Sequence, residues 1–421
     1  MIDRGELLRV LADRAPADWV MFERSIERGR FAAAKATARS ERMRRIELVV
    51  YVDGDRGRGS ARVVGDGDRD DAGELVAQAI ELARASAGPA WASAPASAPA
   101  RVTLEDETLR GYELGDAARA LLAAIPSRAG VTIAPELELA RESVDVIART
   151  GLTASWVATL CELDALIVAH DRSVTVQRRA RTLRGLEIDG VVAEAARDLE
   201  LIARARTPAA GPCALVLRGD AMVHGGLGVW AAFAAQADAV VERQGLSRYR
   251  EGHAIARRGE QSAEHILEPL AMWSDGALPF GTLSSPLGDE GEAVRKFALV
   301  ERGAAAGLGL APREAALRRR EPNGGVRNLV VASGSWSGTA DAARTIDVRR
   351  VRELHIDRYT GEATLEIALA LEQPGDHPIT GGTLRLDLID ALAFARRSPT
   401  RMRTGAYEGP SDILIDRAEL V

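Results

Sequence analysis

His224 lies in Val223-His224-Gly225-Gly226-Leu227-Gly228-Val229, at the start of an expected helix, and is a metal-ligand type of residue without companions. Zinc-assisted hydrolysis on a helix needs more. In a His-Glu-x-x-His arrangement two imidazoles on one helical face hold the ion, and the adjacent carboxylate takes the proton of the attacking water. Here Gly225 follows directly, and no second His or acid occurs before Asp238. One imidazole falls short of the three protein ligands of a catalytic site or the four of a structural one. His224 therefore reads as a helix-terminal or core-edge histidine.

Other constellations are weaker still. His253 and the pair Glu264-His265 stand eleven and twelve residues apart across a polar stretch, which matches no established ligand spacing. Asp66, Asp68 and Asp70 begin like a calcium loop, but Asp71 replaces the Gly of position six and Ala77 the Glu of position twelve, so a solvated turn is expected. Ser333-Gly-Ser-Trp-Ser-Gly338 has Trp336 where a nucleophile elbow needs Ser. Gly57-Arg-Gly59 does not continue into a dinucleotide fingerprint. Cys161 and Cys213 are far apart and outside any Cys-x-x-Cys spacing, so two buried thiols are expected.

The elements that would position these residues follow from periodicity. Leu7 to Leu11 reads as a helix; Trp19 to Glu23, Ala32 to Ala38 and Ile46 to Val52 read as successive antiparallel strands; Leu75 to Ala83 has helical spacing. Residues 1–86 thus form an α+β unit. Residues 87–100, with three prolines among Ala and Ser, form a linker. Over 101–207 the α+β pattern continues, with a helix over Asp116–Ile125, strand-like runs over Leu137–Arg149, Leu152–Glu162, Ala165–Asp171 and Val174–Leu183, and a helix over Val191–Ala205. Residues 208–421 read as a β-rich domain containing the His224 helix. In that helix Asp220 is the expected N-cap, and Leu227, Trp230, Phe233 or Ala234, and Ala237 form an apolar stripe. Glycines inside a helix cost about 1 kcal/mol each relative to Ala, so a close approach by another group is expected there.

Composition removes several functions. The chain has 421 residues, 46% of them hydrophobic, and a net charge of −6, enough for two or three cored domains. Lys occurs only at positions 35 and 296, acids alternate with the Arg clusters, and aromatics make up 4%, so neither the basic stripe nor the stacking platform of a nucleic-acid protein is present. No apolar run approaches a membrane span, and charged residues from Asp3 to Arg14 leave no room for a secretory leader. The cytoplasm is the expected compartment, with no membrane partner.

Three segments carry a family signal: Leu278-Pro-Phe-Gly281, Gly288-Asp-Glu-Gly291 and Leu299-Val-Glu-Arg-Gly303, followed by Asn328-Leu-Val-Val-Ala-Ser-Gly334. Their order and spacing resemble the TldD/PmbA family, proteins described as modulators of DNA gyrase or microcin-processing metallopeptidases. The resemblance extends over most of the chain, with a tail at 409–416 closer to PmbA (TldE) types. It implies an α+β fold with an antiparallel-sheet N-terminal part, packed helices and a β-rich C-terminal domain. Peptidase members carry His-Glu-x-x-x-His where this chain has His224, with Gly225 in place of the Glu and Val229 in place of the second His; the Cys expected near 405–411 is missing as well. For Asp289 and Glu290 an ordered turn shaping a groove, with the two acids accepting backbone N–H groups, is preferred to a catalytic role.

The implied function is a TldE-type subunit without a metal or cofactor of its own. A TldD-type metallopeptidase would pair with it, or a second copy would, and zinc would sit in that partner. Extended, unfolded peptides would be held by strand addition. The alternatives are a free-standing metallopeptidase using His253, Glu264 and His265, and a binding protein acting on DNA gyrase or another toxin target.

Overall fold

The structure, a computed structural model, describes residues 2–91, 97–125, 130–256, 268–338, 340 and 342–421. Asp3 caps helix α1 (Arg4–Arg14) by accepting the Glu6 N–H, and Leu7 and Leu11, one turn apart, bury its inner face. Strands β1 (Asp18–Ala32), β2 (Thr37–Gly54) and β3 (Gly57–Asp66) follow, and helix α2 (Ala72–Ala85) starts at an Asp71 cap. The same succession then recurs: α3 (Leu114–Ala123), β4 (Thr132–Ala148), β5 (Thr153–Ala169), β6 (Arg172–Ala180) and α4 (Ile188–Ile202). All six strands join one antiparallel sheet in the order β3-β2-β1-β4-β5-β6. The first strand of each helix–three strands–helix unit meets the other at the centre, so the sequences on either side of the linker build a single sheet.

Alternation along these strands separates two faces. Met21, Ile46, Leu48 and Val50 pack beneath α1 and α2. Leu137, Leu139, Cys161 and Leu163 pack beneath α3, and Ala165, Ile167, Val174 and Val176 beneath α4. At Gly29 a Cβ would fall 2.1 Å from the Gly115 nitrogen, which is how closely α3 lies on β1. Val20, Phe22, Val49, Tyr51, Val144 and Val146 point the other way, into a core with Trp91, Leu152 and Leu287.

Two strand boundaries differ from the expected ones. Residues 33–36 are the β1–β2 turn rather than strand: Ala33–Lys35 form a 3-10 turn and Ala36 is left-handed at φ 48°, closing the hairpin between Ala32 and Thr37. Leu152–Glu162 and Ala165–Asp171 are parts of one continuous β5, held in unbroken register against β4.

The C-terminal half holds β7 (Gly211–Arg218), β8 (Met272–Asp275), β9 (Lys296–Glu301), β10 (Ala304–Ala305), β11 (Asn328–Val331), β12 (Thr345–Ile356), β13 (Glu362–Gln373), β14 (His377–Ile379), β15 (Thr383–Asp387), β16 (Arg396–Arg397), β17 (Arg401–Thr404), β18 (Tyr407–Pro410) and β19 (Asp412–Leu420). Short helices α5 (Gly219–Met222), α6 (Ala231–Gln236), α7 (Ala239–Arg243), α8 (Pro312–Leu317) and α9 (Leu388–Ala393) fill the spaces between them. One sheet runs β10-β9-β8-β11-β18-β17. In the other, pairing of β12 with both β7 and β13 closes the ring β12-β7-β19-β15-β13. A single residue, Ser411, carries the chain from β18 in the open sheet to β19 in the ring. The largest core, including Trp230, Phe233, Met272, Leu299, Ile367 and Tyr407, spans both. The architecture is α+β, as expected. Among the described residues no helix is long and apolar enough to cross a membrane.

The halves are also joined by charge. Irregular register on β12 around Arg350 turns that side chain into the junction, where it pairs with Asp198 of α4 at 2.7 Å and Asp220 of α5 at 2.8 Å.

Candidate functional site

The segment around His224 is not one helix. Helix α5 ends at Met222, Gly225 and Gly226 take φ values of 70° and 110°, Gly228 takes 52°, and a 3-10 turn over Gly228–Trp230 leads into α6. These left-handed positions explain the glycines. Gly225 and Gly226 face open space, so no group approaches them; only Gly228 is crowded, its would-be Cβ lying 1.9 Å from the Met222 carbonyl oxygen. Asp220 is not the cap either. Arg218 takes that position, and the Asp220 carboxylate is drawn to Arg178 and Arg350. The apolar stripe does reach the core: Trp230, Phe233 and Ala237 are fully buried.

His224 is half-buried in this turn, and burial lowers its pKa against the opposing pull of Asp220. Val229 is fully buried in the large core. With no side chain at Gly225 and a core aliphatic at Val229, the three positions do not supply the donor set of a catalytic zinc. Among the described residues no three His, Cys, Asp or Glu side chains are placed to hold a metal ion. His253 is exposed, its Nδ1 3.1 Å from the Glu251 carbonyl oxygen. Glu264 and His265 lie outside the described residues.

The Gly288–Gly291 segment is a tight turn, closed by Gly291 N–H to the Gly288 carbonyl and Gly288 N–H to the Glu292 carbonyl. It sits against the apolar face of the six-stranded sheet, Leu287 entering the core with Val20 and Leu152. Asp289 and Glu290 do not accept the turn's backbone N–H groups. Asp289 pairs with Arg327 at 2.9 Å and Arg62 at 3.6 Å, because it faces the solvent rim where these guanidinium groups reach. Burial opposes its charge, but the arginines outweigh burial and hold the carboxyl below the usual range. Glu290 accepts the Tyr51 hydroxyl at 2.7 Å. Burial raises the Glu290 carboxyl, although the Tyr51 bond acts in the opposite direction. The backbone acceptor is Glu292, whose Oε2 takes the Glu290 N–H at 2.9 Å. Glu292 is 3% exposed, and burial pushes it up to about 7.

The other family-like segments meet one another. Asn328 donates to the Asp275 carbonyl at 2.7 Å and to Ser284 Oγ at 2.8 Å, and accepts the Leu283 N–H at 3.0 Å. Gly281 passes directly over it, which leaves Phe280 in a left-handed conformation at φ 56°. Arg181, at the end of β6, donates to the carbonyls of Gly281, Thr282 and Ser284 and thereby ties this loop to the sheet.

Below the turn, the sheet face opposite the helices carries a cross-strand ladder. Arg24 pairs with Glu47 and Glu142, Arg62 with Glu47, Arg28 with Glu41 and Glu138, Arg30 with Glu136, and Arg179 with Glu162. Such pairs add about 0.2–1 kcal/mol each and keep the part of this face beyond the turn polar. At one margin lies β6. The Thr159 N–H of β5 bonds Leu104 beyond the end of β6, so it points away from β4. That parity makes Cys161, Leu163 and their alternates bond β6, and directs the backbone groups of Ser173, Thr175, Gln177 and Arg179 outward. All four residues are exposed, and among the described residues no strand pairs with this edge.

No family model matches the sequence, and no curated protein matches it. Solved structures do match. A candidate modulator of a DNA gyrase from Thermotoga maritima superposes with a TM-score of 0.74 at 16% identity over 99% of each chain. A candidate modulator of DNA gyrase from Bacteroides thetaiotaomicron gives 0.74 at 12% identity, over 100% of this chain and 99% of that one. TldE from Thermococcus kodakarensis gives 0.70 at 14% identity over 96% of each. The chain has the TldE fold. Within the TldE fold, sequence patterns located the His224 loop and the 288–291 turn but missed Glu292, Tyr51, Arg181 and Arg350. Arg350 stood in the run Arg349-Arg350-Val351-Arg352, where nothing local distinguishes a buried Arg from exposed ones.

Proposed function

We propose that this chain is a TldE-type, non-catalytic subunit that pairs with a TldD-type metallopeptidase. The partner supplies the zinc, and the pair handles extended peptides. One observation supports the reading: in a chain with the TldE fold, the segment that by sequence resemblance corresponds to the His-Glu-x-x-x-His of peptidase members has Gly225 for the base and Val229, fully buried, for the second imidazole. The polar part of the sheet face beyond the turn and the β6 edge over Ser173–Gln177, unpaired among the described residues, support peptide handling. An extended chain can satisfy outward N–H and C=O groups while making few demands on sequence.

The decisive experiment is a peptidase assay on an unfolded peptide, with this chain alone and with a TldD-type protein from the same genome. Cleavage only with the partner supports the proposal. Cleavage by the lone chain overturns it in favour of a self-sufficient peptidase. The names of two fold neighbours favour a second reading, action on DNA gyrase. Inhibition or protection of gyrase supercoiling by the purified chain, without any peptidase, would select it.

A further inference from the structure

Glu292, buried, and Glu290, half-buried, share a cation-poor site at the contact between the C-terminal half and the six-stranded sheet. Among the described residues neither takes part in an ion pair. The guanidinium groups around the turn are engaged elsewhere: Arg327 with Asp289, Arg62 with Glu47 and Asp289, and Arg24 with Glu47 and Glu142. Arg313 of α8 acts on Glu290, and Arg327 on Glu292, only at longer range. Asp18, on β1, adds negative charge beside Tyr51. The Tyr51 hydroxyl donates to Glu290 across the junction, and a Cβ at Gly291 would lie 3.1 Å from Val20, so the turn is seated directly on β1 and β2.

We propose that Glu292 and Glu290 form a proton-operated latch that seats the 288–292 turn on the six-stranded sheet. With a proton on Glu292, the negative charge stays on Glu290, to which the Tyr51 hydroxyl donates, and the Glu290 N–H bonds the neutral Glu292 carboxyl. Loss of that proton puts a buried carboxylate beside the half-buried carboxylate of Glu290. Lifting the turn toward water relieves the repulsion and loosens the seam that Leu287 and Gly291 make with Val20 and Leu152. Burial, and after it the charge of Glu290, puts the proton loss of Glu292 at about 7, so the latch works in the neutral range.

Hydrogen exchange of the full chain at pH 6 and pH 8, corrected for intrinsic rates, reads the latch directly. Peptides covering 287–293 and 18–22 should lose about tenfold in protection at pH 8, while α4 keeps its own. Glu292→Gln, which keeps an acceptor for the Glu290 N–H, should abolish the change. Glu290→Gln removes the like charge and should move the transition to lower pH. Equal protection at both pH values in the unsubstituted chain overturns the latch, as does a Glu292→Gln chain that responds normally or a Glu290→Gln chain whose transition stays in place.

Discussion

Arg350 Nε lies 2.7 Å from Asp198 Oδ2, both side chains almost fully buried, and this contact ties β12 of the C-terminal half to α4 of the N-terminal half. Removing Arg350 strands Asp198, which is 1% exposed, whereas removing Asp198 leaves Arg350 with Asp220 and Glu194. Arg350→Met should therefore cost about 3–5 kcal/mol in urea unfolding, and adding Asp198→Leu should recover much of that loss.

Two glycines should behave differently when replaced by alanine. At Gly288 the new Cβ would lie 2.1 Å from the Glu292 carboxyl group, which would have to leave its buried position and its bond to the Glu290 N–H. At Gly225 it meets open space and only the left-handed φ of 70° opposes it. Thermal unfolding should show Gly225→Ala losing about 1–2 kcal/mol and Gly288→Ala losing more than that.

Neighbouring acids on the 288–292 turn should give opposite pH slopes. Asp289 is held below its usual range, so its contribution is present above the unfolded carboxyl range and disappears as pH falls through the lowered folded value. Glu292 is raised to about 7, so its contribution is complete below the ordinary Glu range and disappears as pH rises through 7. Denaturant midpoints measured from pH 4 to 9 should show Glu292→Gln flattening the decline that runs from the ordinary Glu range up to about 7. Asp289→Asn should lower stability at pH 7 by less than about 1 kcal/mol, because its carboxylate is exposed and screened.

Metal analysis tests the reading of the His224 loop. The purified chain should hold far less than one equivalent of zinc, and His224→Ala should leave that figure unchanged. A full equivalent that disappears on His253→Ala would reinstate the free-standing peptidase.

The β6 edge makes a prediction about peptides. Proline at Thr175 removes an outward N–H without touching the β5 ladder, so the fold should survive. Thr175→Pro should weaken capture of an unfolded fluorescent peptide, in the presence of a TldD-type partner, by about tenfold in anisotropy titrations. Unchanged binding would place the peptide elsewhere.

Much of the layout was legible because it rests on local periodicity: the alternation in Ile46–Val52 and the helical spacing in Leu75–Ala83 need no knowledge of the rest of the chain. The His224 segment misled for a physical reason. Its apolar stripe has true helical spacing and is buried, but the glycines between its members take left-handed angles that interrupt the helix without displacing the stripe from the core. The partners of Asp289, Glu290 and Asp220 were illegible because each is distant in sequence: Arg327 and Arg62, Tyr51, and Arg178 and Arg350. Glu292 could have been suspected only from the glycine at 288, which leaves its carboxyl group room to fold back.

The central pairing of β1 with β4 has a consequence during synthesis. β1 ends at Ala32, while its inner neighbour is complete only at Ala148. At about 5–20 residues per second, a ribosome leaves the β1 side of the first three-stranded unit bare for several seconds, with Val20, Phe22 and Val49 uncovered as well. The second unit, built to the same plan, is the natural cover for that edge, and so would be the first unit of a neighbouring nascent chain. Domain exchange between chains on one messenger is therefore the misassembly to which this architecture is most exposed.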